Sequence, residues 1–468
     1  MGILINYTSA LSEGLKEDFR LSRDELVSLE SAFSAAHSGL SRKRASGELP
    51  FFDLPFDERV LSEVNSAAHR LRQKFDDLVL LGIGGSALGA IALHEVLNHC
   101  QHNLLPRDKR QGCRFFCPDN VDPDLLRSLT DVLDPRHTLV NVATKSGSTA
   151  ETLAEFMFFR DWFEKSLGRE WVEHFVITTD PEQGFLRRYA QEKGIATFPI
   201  HPKVGGRFSV LTPAALFPAA MTGICIDEVC RGARRVSPHC FAKHLEDNPA
   251  ALVAALLYLA DVRKFLPIHV LFAYSNRLYL LVDWFRQLWA ESLGKRHRLD
   301  GTEAFTGPTP VRALGATDQH SQVQLYTEGP RDKAVVFLGT RRFDAELGIP
   351  ALDVSSSETD YLAGRTFGEL LNAERRATEY ALTAADRFNI TIEVDEIDGL
   401  HLGALMYLLE AATLFAGAFY NVNPLDQPGV EAGKRATYAL MGRKGYESER
   451  AVLEVTADKA RELKIDLY

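Results

Sequence analysis

The sequence predicts an α/β protein built on two doubly wound parallel sheets, with helical segments at its N- and C-terminal ends. Three observations carry this. Short apolar runs without polar alternation read as strands covered on both faces. Stretches of helical period lie between these runs. The alternation also starts twice, near Asp77 and again near Ile268.

In chain order, residues 1–70 read as helical and mixed, with Pro50 and Pro55 marking a loop. Leu78-Val79-Leu80-Leu81 is a strand stopped by Gly82, and an Ala-rich helix follows to about Leu97. Further strands are expected at 114–117, 138–143 and 174–178, with a helix over 149–162. Strands at 268–274, 334–338 and 390–394 then alternate with helices at 277–291 and 400–419. The apolar stretch 400–422 carries Glu410 and two glycines, so it reads as a buried helix and not a membrane span. A last helix is expected over 447–463. The expected division is a helical segment 1–70, sheet domains 71–240 and 241–440, and a C-terminal helix 441–468.

The chain has 468 residues, 46% hydrophobic and 25% charged, which is globular composition with room for two or three domains. A net charge of -10 argues against nucleic acid and anionic membranes as partners. The six cysteines show no metal-binding CxxC pairing and no N-terminal signal pattern precedes them, so reduced thiols in the cytoplasm are expected. No HExxH, GxSxG or P-loop spacing occurs, and neither metal nor cofactor is expected.

The apolar positions Leu278, Leu281, Val282, Phe285 and Leu288 trace one helix face ending at Gly294, which puts Glu291 in the last turn. The negative end of the helix dipole opposes ionisation there, which suits a general base working on a carbon acid. Taken alone, such a Glu is usually a solvated surface residue. Residues 82–87, Gly-Ile-Gly-Gly-Ser-Ala, join a strand to a helix and satisfy GxGxxA. Dinucleotide binding, sugar-phosphate binding and a plain tight turn are all open for this loop.

Residues 144–149, Thr-Lys-Ser-Gly-Ser-Thr, crowd four hydroxyls and a Lys before a helix. Ser148 with Glu151 matches a capping box, yet capping uses only one hydroxyl, and the excess suits a phosphate monoester. Gly205-Gly206-Arg207 offers close backbone approach and a fixed cation for developing negative charge. His320 lies in a polar Asp-Gln-His segment after the Gly- and Pro-rich 301–315. Gln427, Glu431 and Lys434 would share a helix face at i, i+4 and i+7.

Taken in order, the glycine-serine loop, the hydroxyl loop, GGRFS, Glu-Ser-Leu-Gly-Lys, Asp-Gln-His and the C-terminal Gly-Lys resemble the motifs of the glucose-6-phosphate isomerase (phosphoglucose isomerase) family. The likeness spans roughly residues 78–440 and is nearest to bacterial-type members, with Pro428 where longer forms carry Trp. It implies two sugar-isomerase (SIS) domains and interconversion of glucose 6-phosphate and fructose 6-phosphate through a cis-enediolate, in glycolysis and gluconeogenesis. The resemblance implies that Gly85, Ser86, Thr144, Lys145, Ser146 and Thr149 form the phosphate end of the site. Glu291 would then be the base, Gln287 a sugar contact, and Arg207 with the Gly206 backbone the stabiliser of the enediolate. His320 and Lys434 would assist ring opening near Gln427, and His320 would come from the other subunit of a homodimer.

Overall fold

The computed structural model describes residues 2–461. Its twelve strands are β1 Ile3–Asn6, β2 Asp77–Leu81, β3 Arg114–Phe116, β4 Thr138–Ala143, β5 Phe175–Thr179, β6 Ala196–Pro199, β7 Ile268–Ala273, β8 Lys295–His297, β9 Glu303–Thr306, β10 Thr309–Leu314, β11 Lys333–Thr340 and β12 Asn389–Val394. The first sheet has the order β3-β2-β4-β5-β6 and is parallel throughout. Every residue of β2, β4 and β5 is buried, which is why these strands read as unbroken apolar runs.

The second sheet has the order β1-β12-β11-β7-β10. Its pairs β10/β7, β7/β11 and β11/β12 are parallel, while β1 runs antiparallel to β12. Two of its edges depart from the sequence expectation. The segment before residue 70 contains helices Glu30–Ala45 and Glu58–Arg72 but opens with strand β1. The stretch 301–315, read as a Gly- and Pro-rich connection, holds β9 and β10. Pro310 is tolerated because β10 pairs on one side only, so the missing N–H breaks no second ladder.

The expected buried helix is Gly399–Phe419. Among the described residues it is the one helix long and apolar enough to cross a membrane, and 94% of its apolar window is covered by the protein. Its glycines serve close crossing. A Cβ on Gly403 would sit 1.8 Å from the Val229 carbonyl oxygen, and one on Gly232 would sit 1.9 Å from that of Leu400. Helix Ile226–Cys240 therefore packs backbone to backbone against it. The C-terminal helix runs Glu447–Arg461, and the remainder of the expected 447–463 lies outside the described residues.

Candidate active site

The turn after β2 lies against both the GGR turn and helix Tyr279–Leu293. That helix ends at Gly294 as its spacing predicts, and Leu278, Leu281, Val282, Phe285 and Leu288 are all buried. Glu291 is left at the open side of the last turn, its side chain 26% exposed. One turn earlier, the Gln287 side-chain amide donates to Glu291 Oε2 at 3.2 Å. Gln287 Oε1 is buried and accepts from no protein group, so an acceptor is available to a hydroxyl-bearing ligand.

The glycine loop reaches this helix by backbone. A Cβ on Gly85 would lie 2.3 Å from the Gly206 carbonyl carbon and 2.5 Å from the Arg207 nitrogen, so only glycine lets the two turns touch. Ser209 Oγ ties the pair together by donating to the carbonyls of Gly206 at 2.7 Å and Gly85 at 3.2 Å.

Arg207 is 4% exposed, and its guanidinium is almost completely engaged. Nε donates to Ser292 Oγ at 2.8 Å, Nη1 to Gln427 Oε1 at 3.0 Å, and Nη2 to the carbonyls of Pro424 at 2.5 Å and Asp426 at 3.0 Å. These are four bonds from five N–H groups. The remaining N–H is on Nη1, the nitrogen 3.8 Å from Glu291 Oε2. Burial pulls the guanidinium pKa down, and Glu291 and Asp426 pull it back up.

The hydroxyl loop follows β4. Thr144 Oγ1 lies 2.9 Å from Thr149 Oγ1, Ser146 Oγ lies 3.4 Å from the same hydroxyl, and the Ser148 N–H donates to Ser146 Oγ at 3.2 Å. The expected Ser148–Glu151 capping box does not form. The N-cap of helix Ala150–Leu167 is Thr149, and no side chain caps it. The hydroxyls bond one another instead, and the first helical N–H groups are left for an external acceptor. Lys145 beside them is half-buried, and burial lowers its pKa.

Two expected residues are not brought to Glu291 within one chain. Lys434 is exposed, its Nζ 2.8 Å from Glu431 on its own helix. That helix starts at Glu431, after a separate turn over Pro428–Val430, so Gln427 does not share its face as the spacing suggested. Gln427 points to Arg207 instead. His320 is exposed at the end of the turn Thr317–Gln319, and among the described residues its ring bonds to nothing.

Sequence reasoning missed Lys295. It is 7% exposed, and its Nζ donates to the carbonyls of Glu291 at 2.7 Å and Ser292 at 3.0 Å, closing the helix that carries the carboxylate. Burial first, and Arg207 second, bring its pKa down to about 8. A Lys just past a helix-ending Gly is the signal that marks such a cap.

The sequence profile described as phosphoglucose isomerase matches residues 60–452. The chain belongs to that family. Within it, the chain is 44% identical over 451 residues to the glucose-6-phosphate isomerase of Carboxydothermus hydrogenoformans, covering 96% of this chain and 97% of that one. It is 46% identical over 400 residues to that of Rubrobacter xylanophilus, covering 85% and 90%. Among solved structures, a Thermus thermophilus protein described as hypothetical superposes with a TM-score of 0.85 at 37% identity, covering 94% of this chain and 100% of that one. A glucose-6-phosphate isomerase from Chlamydia trachomatis superposes with a TM-score of 0.73 at 25% identity, covering 86% and 76%. The phosphoglucose isomerase profile thus spans the hydroxyl loop, the Gly85–Gly206 contact, Arg207 and Glu291 together.

Proposed function

We propose that this phosphoglucose isomerase interconverts D-glucose 6-phosphate and D-fructose 6-phosphate, with Glu291 as the base that moves a proton between C1 and C2. The carrying observation is the Glu291 carboxylate held by Gln287 and facing the one unused N–H of a locked guanidinium. Removing a proton beside a carbonyl leaves an enediolate, and carbon is a poor acid. A preorganised donor in a partly dry cleft stabilises that charge, and the loss of a comparable donor costs about 3 kcal/mol. Arg207 and the Gly206 backbone would supply it. C1 and C2 are adjacent on one face of a cis-enediolate, so a single carboxylate serves both.

Ser86, Thr144, Lys145, Ser146 and Thr149, with the Gly85 turn, would bind the phosphate at the uncapped helix end and hold the reacting carbons in place. Gln287 would contact the sugar, and Gln427 would act by fixing Arg207. His320 and Lys434 would assist ring opening, with His320 supplied by the second subunit of a homodimer. Its exposure supports a role in trans, as do exposed apolar residues that a monomer leaves uncovered: Leu299, Phe305, Leu440 and Met441. The sheets draw on residues 77–199 and on 268–394 plus β1, which supports domain boundaries near 70 and 240. Six unpaired cysteines fit a reducing cytoplasm.

The test is Glu291→Gln assayed for fructose 6-phosphate formation. Turnover should fall between about 100- and 10,000-fold while phosphosugar affinity stays close to wild type. A variant that retains a near-normal rate would remove Glu291 as the base.

A further inference from the structure

The two sheets share one winding pattern, and the second has its own unassigned crevice. In the first sheet the chain passes from β2 to β3 on one side and then returns to place β4 on the other. The candidate site lies at that reversal, on the turns after β2 and β4. In the second sheet the chain passes from β7 to β10 on one side and returns to place β11 on the other. The equivalent reversal lies between β7 and β11, and open α/β sheets bind ligands at the carboxyl ends of strands at such points.

A cavity of about 490 Å³ opens there, lined by Ser275, Asn276 and Arg277 after β7 and by Arg342, Phe343 and Asp344 after β11. That volume suits a small ligand. Ser275 is only 5% exposed, and among the described residues no protein group bonds its hydroxyl. Arg277 is aimed by the carbonyls of Val96 at 2.7 Å and Ile397 at 3.1 Å, and the Asp344 carboxylate lies against it. Arg342 is 68% exposed, and among the described residues its sole ion-pair partner is Glu396 at 3.5 Å. Asn98, His99 and Cys100 add a further polar edge, and Leu97, Phe367, Leu371 and Ile397 make the apolar wall.

We propose that this crevice is a second ligand site, which binds an organic phosphate monoester with an apolar body. The anion would meet Ser275 and Arg342 and displace the 66%-exposed Asp344 from Arg277, while the body would pack on Phe343 and Phe367. The inference rests on topology and lining, not on the chemistry assigned to Glu291.

Phenyl phosphate titrated calorimetrically into the full chain tests it. The expected result is two equivalents per chain, one of which survives in a Thr144→Val/Ser146→Ala variant that disables the first site. Ser275→Ala and Arg342→Ala should each weaken that surviving equivalent about tenfold and leave isomerase turnover unchanged. Absence of saturable binding in the Thr144→Val/Ser146→Ala variant overturns the proposal, whatever becomes of the activity. So does binding there that is indifferent to both Ser275→Ala and Arg342→Ala.

Discussion

The Gln427 side-chain carbonyl accepts from Nη1 of Arg207 at 3.0 Å, across 220 positions of sequence. The bond decides which way the guanidinium faces. With Nε and Nη2 tied to Ser292 and to the carbonyls of Pro424 and Asp426, Gln427 takes one Nη1 proton and leaves the other toward Glu291. Replacing Gln427 with Leu should lower kcat by about 10–100-fold with little change in KM, since a misplaced donor is felt chiefly in the transition state. Steady-state kinetics checks the split. A variant impaired in KM alone would point to a substrate contact instead.

Gly85→Ala should be far costlier than its single methyl suggests. The new Cβ would fall 2.3 Å from the Gly206 carbonyl carbon, so one backbone turn must move. The expected outcome is a loss of about 1–3 kcal/mol of stability together with most of the activity. Gly433→Ala is the control, because nothing lies within 4 Å of its added carbon in an exposed helix. It should be neutral or slightly stabilising in thermal melts.

The buried histidines should cost the fold stability in acid. Burial holds His94 and His269 down at about 3, and it also lowers His102 and His174. Unfolded histidines take up protons near 6.5. Stability from these groups is thus complete above about pH 6.5 and is lost as pH falls toward 3, because only the unfolded chain binds the protons. Glu155 works the other way over the same window, so the test is a difference: the urea midpoint of His269→Gln should gain on that of the unaltered protein as pH falls from about 6.5 to 5.

Glu155 carries the opposite sign. Buried on helix Ala150–Leu167, it is raised to about 8 by burial first and by Asp119 and Glu151 after that. The unfolded chain releases this proton near 4.5 while the folded one keeps it, so stability drains away as pH rises from 4.5 to 8. Glu155→Gln keeps the shape without the titration. It should stabilise the protein by about 1–2 kcal/mol at pH 8 and by almost nothing at pH 4.5.

Much of the sheet architecture was readable in the chain because β2, β4, β5, β7 and β11 are covered on both faces and so read as unbroken apolar runs. Strands β1 and β10 were not. Four alternating residues at one edge, and a Pro-bearing edge strand after a glycine-rich approach, carry too little pattern. The same divide runs through the candidate site. Glu291, Gln287 and the GGR turn stand out as residue types at fixed spacing. The grip on Arg207 does not, because the carbonyls of Pro424 and Asp426 belong to no particular side chain. The hydroxyl loop shows a third kind of miss, where a sound capping pattern lost to competition among neighbouring hydroxyls.

Strand β1 has a consequence for biosynthesis. Ile3 pairs with Val394 and Asn6 with Thr391, so β1 finds its ladder only after the other four strands of its sheet have been made. Until β12 emerges, β11 lacks its neighbour on that side and β1 has no ladder at all, so the nascent second sheet presents open rims to other polypeptides. The first sheet, made wholly from residues 77–199, has no such wait and can assemble during translation.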